Sequence, residues 1–366
     1  MGRTHFPRRG AIAWGVQARS VTGGNLHSMN DNVVESREIR LAARPSGECT
    51  AETFALATTQ VGPPGEGEIL VQNVFMSVEP YMRGRMNAGR SYVPPFDVGA
   101  PLSGAAIGRV IASNDPTIAE GSTVLHDRGW REYAVIPAKS VRQLDVATVP
   151  PETYLSALGT TGFTAWVGLR VIGRVQTGET LFVSAAAGAV GSMVVQLAKR
   201  WGLRVIGSAS SAQKAAYIKE KLGADAAFDY HERPVLDRLQ AAAPDGIDAY
   251  FDNVGGSQLE AAIGAMRDHG RAILCGAISQ YNSAAPPPGP RNLALAIGRR
   301  LRLEGFIVSD HRDRMAEFQA EVLPLVRDGV VATPTTIVQG LENAPAAMME
   351  ILRPNRTVGK VLVRVS

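Results

Sequence analysis

The segment with the clearest chemical signature is Ala185-Ala-Ala-Gly-Ala-Val-Gly191, which follows the short apolar run Thr180–Ser184 and leads into the helical pattern Ala189–Trp201. A strand, a glycine turn and a helix in that order make a phosphate site. Gly188 lets the backbone approach a pyrophosphate, Gly191 lets the helix pack against the strand, and the helix N-terminus supplies N–H groups and positive dipole charge. Ala185 or Ala186 stands where the usual pattern has its first glycine. The turn therefore gains its meaning from its place at the first strand of a repeating β/α series. The next strand, Arg204–Ser208, ends in Gly207-Ser-Ala-Ser-Ser211, with Lys214 shortly after and no acid at the strand end. An acid there would bind a ribose 2′-hydroxyl. Hydroxyls and an ammonium suit a 2′-phosphate instead.

Tyr281 is the second candidate. It follows Cys275-Gly-Ala-Ile-Ser at the C-terminal end of a strand candidate, Gly270–Gly276, where ligands bind in sheets of this kind. A phenol there can donate a hydrogen bond to an oxygen that gains negative charge. Its ordinary pKa of about 10 leaves water an equal candidate as proton source. The cysteines are Cys49 and Cys275, and no Cys or His spacing suits a zinc site or a disulfide framework. No metal is expected, and each cysteine reads as a small buried apolar residue. Arg83 and Arg85 could attract carboxylates, but structural salt bridging is the favoured reading. His126, His231, His269 and His311 are scattered and read as surface or packing residues.

These groups need a scaffold. From about Arg37 to Ala157 the chain reads as β-rich, with strands expected at Glu68–Val74, Gly104–Ala112 and Trp130–Ile136. Near Gly159 the character changes. Strands at Thr180–Ser184, Arg204–Ser208, Ala226–Asp229, Ile247–Asn253, Gly270–Gly276 and Arg302–Val308 alternate with helices at Ala189–Trp201, Ala212–Leu222, Val235–Ala242 and Gln258–Met266. Such alternation implies a parallel sheet covered on both faces. Pro286-Pro-Pro-Gly-Pro290 marks a loop. The tail, Val358–Val365, is again strand-like and is expected to return to the first domain. The expected division is a β-rich domain over residues 37–158 and 332–366, and a nucleotide domain over 159–331.

Composition sets outer limits. A chain of 366 residues suits two domains, and no run approaches the roughly 20 apolar residues of a membrane span. The net charge of +4 lies in residues 1–30, where Arg3, Arg8, Arg9 and Arg19 meet no acid. The remaining body has as many acids as bases, which gives no reason to expect nucleic-acid binding. Residues 1–36 are expected to be a disordered extension. A transit peptide, or a true start near Met29, stays open as an alternative.

Several segments together resemble one family: Val78-Glu-Pro-Tyr-Met-Arg-Gly-Arg-Met86, Thr161-Gly-Phe-Thr-Ala165, the glycine turn, Gly246-Ile-Asp-Ala-Tyr-Phe-Asp-Asn-Val-Gly-Gly256, Cys275-Gly-Ala-Ile-Ser-Gln-Tyr-Asn282 and Gly340-Leu-Glu-Asn-Ala-Pro345. They are similar to the zinc-independent medium-chain dehydrogenase/reductases, in the branch of prostaglandin, alkenal and curcumin reductases. The resemblance implies an α/β fold in which a GroES-like β-rich domain and a Rossmann doubly wound parallel sheet enclose the active-site cleft. It also implies NADPH as cofactor, a cytoplasmic homodimer, and hydride transfer to the C=C bond of an enone or enal.

By resemblance, Gly188, Ala189, Val190 and Gly191 form the pyrophosphate turn. Lys214 is the 2′-phosphate lysine, Tyr230 lies on the adenosine side, and Asn253 belongs to a cofactor motif. Cys275, Gly276, Ala277, Ile278, Ser279, Gln280 and Tyr281 make the nicotinamide-side loop, and Phe306, Ile307 and Val308 lie beside the nicotinamide. Tyr281 would also face the substrate carbonyl, with Tyr81 lining the substrate. Thr357 stands where the family often has Asn, and being shorter and without an amide it leaves that contact open. A quinone reductase and an NADPH-binding protein without turnover are the competing expectations.

Overall fold

The computed structural model describes residues 33–285, 287–353 and 357–366. The readings of the N-terminal extension fall on residues 1–32, outside the described ones. Val34–Ser36, assigned to that extension from sequence, instead open the first strand.

The β-rich domain contains β1 (Val34–Leu41), β2 (Phe54–Val61), β3 (Glu68–Ser77), the short helix α1 (Tyr81–Arg85), β4 (Ala106–Ser113), β5 (Thr123–His126), β6 (Tyr133–Pro137) and β7 (Arg142–Gln143). β1 and β2 form an antiparallel hairpin. β6 starts later than the apolar run suggested, because Trp130 takes a left-handed backbone, φ +62°, and buries its ring rather than joining the ladder.

Helix α2 (Thr160–Val167) leads into the second domain. There β8 (Thr180–Val183), α3 (Ala189–Arg200), β9 (Arg204–Ala209), α4 (Ala212–Glu220), β10 (Ala226–Asp229), α5 (Val235–Ala242), β11 (Ile247–Asp252), α6 (Gly256–Ala265), β12 (Met266–Leu274), α7 (Leu295–Gly298) and β13 (Arg302–Gly305) follow in turn. The six strands pair in the order β10-β9-β8-β11-β12-β13, every pair parallel. β8 is buried along its whole length, as a central strand covered on both faces must be. The chain ends with α8 (Met315–Arg327), β14 (Thr335–Gln339), α9 (Ala344–Ile351) and β15 (Lys360–Arg364). β15 pairs antiparallel with β3 and parallel with β14, so the tail completes the sheet of the first domain.

Two sheet boundaries differ from the sequence reading in a way that matters for the site. β12 stops at Leu274, because Cys275 and Gly276 both turn their N–H groups to the Asp252 carbonyl. β13 stops at Gly305, and the apolar residues Phe306–Val308 leave the sheet to line a cavity. Among the described residues, no helix is long and apolar enough to cross a membrane.

Candidate active site

The glycine turn is built as its residue types require. Gly188 caps α3, and Ala189 opens the helix. A Cβ on Gly191 would lie 2.3 Å from the Ala185 carbonyl oxygen, so only glycine lets helix and turn pack this closely. Ala185, in the region where the usual pattern has its first glycine, takes a left-handed backbone of φ +47°.

The turn after β11 lies beside it. The buried Asp252 carboxylate accepts the Tyr250 hydroxyl at 2.7 Å and the backbone N–H groups of Val254 and Gly255 at 2.9 and 2.7 Å. Burial raises the Asp252 carboxyl above its usual value, against the lowering effect of those donors. Asn253 is held from the other side: its N–H donates to Ser184 Oγ at 2.9 Å and its amide to the Ser184 carbonyl at 2.8 Å.

Two adjoining cavities run along these turns. One, of about 490 Å³, is lined by Gly188, Ala189, Ser210, Lys214, Tyr230, Ser279 and Thr357 among others. Ser211 caps α4 by accepting the Lys214 N–H. Burial lowers the Lys214 ammonium from its ordinary value, opposed by the charge of Glu350. The other, of about 440 Å³, is lined by Tyr81, Val190, Gly191, Asn253, Cys275, Gly276, Tyr281, Phe306, Ile307 and Val308. Ile278 lines both. Ala277 and Gln280 line neither. Ala277 serves the loop, donating its N–H to the Tyr281 hydroxyl at 3.3 Å. Cys275, read from sequence as a buried packing residue, faces the second cavity, and burial pushes its thiol up to about 12.

The two cavities share lining residues such as Gly188, Ala189 and Ile278, and an extended dinucleotide could span both. The first cavity offers a cation and hydroxyls for a phosphorylated adenosine end, and the glycine turn allows close backbone approach between the two. The second offers apolar walls for a nicotinamide and a substrate beside it. Among the described residues, no group of three His, Cys, Asp or Glu is arranged to hold a metal ion.

Sequence reasoning missed part of this site. Tyr92, Val93, Thr160, Thr161 and Thr164 also line the second cavity. The threonines share a face of α2 and lie in or beside a motif already noted. Arg83 and Arg85 correct an expectation: among the described residues, neither makes a salt bridge. Arg83 is 2% exposed and donates to the carbonyls of Gly47 and Pro45 and to Asn87 Oδ1. Arg85 donates to the Pro94 carbonyl and Ser103, and its guanidinium lies 3.9 Å from the Phe96 ring centroid. Together they pin the loop that carries Tyr92.

A buried ion pair closes the seam between the cavities. Lys360 Nζ lies 2.5 Å from Glu79 Oε1, which also accepts the Ser77 hydroxyl at 2.6 Å. Burial alone would raise the Glu79 carboxyl, but the charge and hydrogen bond of Lys360, with Ser77, carry it below its ordinary value.

Comparison with known proteins agrees with this architecture. Residues 37–144 match the N-terminal domain of oxidoreductases, and residues 189–327 match a zinc-binding dehydrogenase domain. The chain is 38% identical to the NADPH-dependent curcumin reductase of Escherichia coli, over 92% of this chain and 99% of that protein. It is 40% identical to the NADP-dependent 2-alkenal reductase of Nicotiana tabacum, over 83% of this chain and 89% of that one. The structure of CurA from Vibrio vulnificus in complex with NADPH superposes with a TM-score of 0.85 at 37% identity, covering 90% of this chain and 99% of that one. The chain belongs to the zinc-independent medium-chain dehydrogenase/reductases.

Proposed function

We propose that this protein reduces the activated carbon–carbon double bond of α,β-unsaturated ketones or aldehydes. It is an NADP-dependent oxidoreductase with NADPH as its cofactor, as its relatives in Escherichia coli and Nicotiana tabacum are named. The observation that carries the proposal is the Tyr281 phenol in the apolar cavity beside Cys275, Gly276 and Phe306. Bound NADPH supplies a hydride, which in the proposed reaction reaches the β-carbon of the substrate.

Negative charge then moves to the carbonyl oxygen, to which in this reading Tyr281 donates a hydrogen bond, and the α-carbon takes a proton from Tyr281 or water to complete the saturated product. Burial raises the Tyr281 hydroxyl above its ordinary value, against the Ala277 N–H, so the phenol stays protonated as a hydrogen-bond donor. In this reading Tyr81, which lines the same cavity, borders the substrate. Burial, reinforced by the Glu79 charge, raises its hydroxyl too. Val190, Phe306 and Ile307 give the cavity apolar walls, and a substrate that displaces water from between them would strengthen each of these contacts.

A homodimer is supported by β13, an edge strand of the parallel sheet whose neighbouring segment exposes Leu295 and Ile297, the latter 83% exposed. The test of function is NADPH oxidation across enals, enones, keto-prostaglandins, curcumin and quinones. Turnover of enones and enals above quinones supports the proposal, and turnover confined to quinones overturns it.

A further inference from the structure

Lys360 occupies an unusual place. The residue before it, Gly359, donates its N–H to the Ala187 carbonyl at 2.8 Å and bridges to Gly188. The lysine therefore leaves the backbone at the phosphate turn itself. It is 4% exposed, yet it borders both cavities. The residues shared by the two are Pro80, Ala185, Gly188, Ala189, Ile278 and Lys360, and Lys360 is the only one of them with an ionisable side chain.

An ammonium has three donors. One is used by Glu79, and Nζ donates no other hydrogen bond among the described residues. Glu79 is followed directly by Pro80 and Tyr81, which form part of the substrate wall. A buried ion pair is a poor way to stabilise a fold, since apolar residues of the same volume commonly do as well or better. Its position at the seam calls for another account.

A dinucleotide whose phosphorylated end lies at Lys214 and whose nicotinamide lies at Cys275 must cross that seam. The part that crosses, between pyrophosphate and nicotinamide, is the nicotinamide-side ribose. We propose that Lys360, held in place by Glu79, is a positioning residue that donates a hydrogen bond to this ribose and so ties the cofactor to the Glu79-Pro80-Tyr81 wall. The proposal rests on the reading of the two cavities as one cofactor and substrate cleft.

The test compares affinity for NADPH and NADH, by fluorescence titration, with thermal stability in three variants of the full chain. Lys360→Met should weaken both cofactors by the same factor, about tenfold, because the contact is to a ribose that both share. Lys214→Ala should weaken NADPH alone. If it does not, the cofactor placement fails, and that failure is separate from any result at Lys360. Lys360→Met also leaves a buried carboxylate unpaired and should lower the melting temperature.

The double variant Glu79→Gln with Lys360→Met removes that unpaired charge. It should regain stability while cofactor binding stays weak. Recovery of stability and affinity together would make the pair a structural strut and overturn the proposal. So would unchanged binding in Lys360→Met, or a loss for NADPH alone. If the methionine variants do not fold, Glu79→Leu with Lys360→Leu, which also removes the donor and leaves no unpaired charge, carries the same comparison between the two cofactors.

Discussion

Gly359 donates its backbone N–H to the carbonyl of Ala187 at 2.8 Å, so the last strand of the β-rich domain starts on the phosphate turn of the other. The contact depends on a backbone that only glycine adopts without strain. Gly359 has φ +73°, and an added Cβ would lie 1.9 Å from the Pro334 carbonyl oxygen. Gly359→Ala should destabilise the protein by about 3 kcal/mol, from left-handed strain together with overpacking. It should also weaken NADPH binding, because the turn must shift. A melting temperature within about 2 °C of the parent would show that the junction is not held this way.

Lys214 sets the cofactor preference in this account. Lys214→Ala should cost NADPH binding roughly 1–3 kcal/mol, as expected for a charge-assisted hydrogen bond to a 2′-phosphate, and barely affect NADH. Titration of both cofactors measures it. Equal losses would move the 2′-phosphate site elsewhere in the cavity.

Tyr281→Phe removes one hydroxyl and keeps the ring. Loss of a comparable donor elsewhere costs about 10²–10³ in turnover. About tenfold is expected here, because a ribose hydroxyl of the cofactor can share the role. The loss should fall on kcat with NADPH affinity unchanged, since the hydrogen bond strengthens as charge develops. If affinity collapses while the rate at saturating cofactor holds, the tyrosine packs the cofactor and Tyr81 becomes the donor to test.

His126 gives a pH signature. Burial, with Arg131 and Arg128 nearby, lowers its imidazole to about 3, whereas an unfolded chain titrates at about 6.5. Between those values the unfolded state binds a proton that the native state refuses, so stability falls as pH drops through that window. His126→Gln should be less stable by about 1 kcal/mol at neutral pH, since the Arg128 N–H now donates to Nδ1 at 3.1 Å. The gap should close at about pH 6 and reverse by about pH 5, since the parent loses roughly 2 kcal/mol over that range. Urea unfolding of both proteins at neutral and acid pH decides it, and a constant gap would contradict the assignment.

The readable parts of the site were those whose chemistry is local in sequence. The strand, turn and helix around Gly188 and Gly191 lie in one continuous segment, and Lys214 falls just past the next strand. The Glu79–Lys360 pair joins residues 281 positions apart, and no local pattern predicts that two such distant charges meet. Phe306–Val308 continues an apolar run, so it reads as strand, although the chain spends those side chains on the cavity wall instead. Arg83 and Arg85 look like ion-pair partners from composition. Their acceptors are mostly backbone carbonyls, which every residue carries and no sequence pattern marks, with the neutral side chains of Asn87 and Ser103 beside them. The β1–β2 hairpin escaped for a related reason: β2 exposes much of its length, so its residues show no clear apolar face.

The central claim is that hydride goes to the β-carbon rather than to the carbonyl carbon. The direct measurement uses NADPH deuterated at the transferring position of the nicotinamide, with a simple enone as substrate and mass and NMR analysis of the product. The account predicts a saturated ketone with deuterium on the β-carbon, formed at the rate of NADPH oxidation. An allylic alcohol with deuterium on the former carbonyl carbon, or no oxidation of NADPH by any enone or enal, would contradict it.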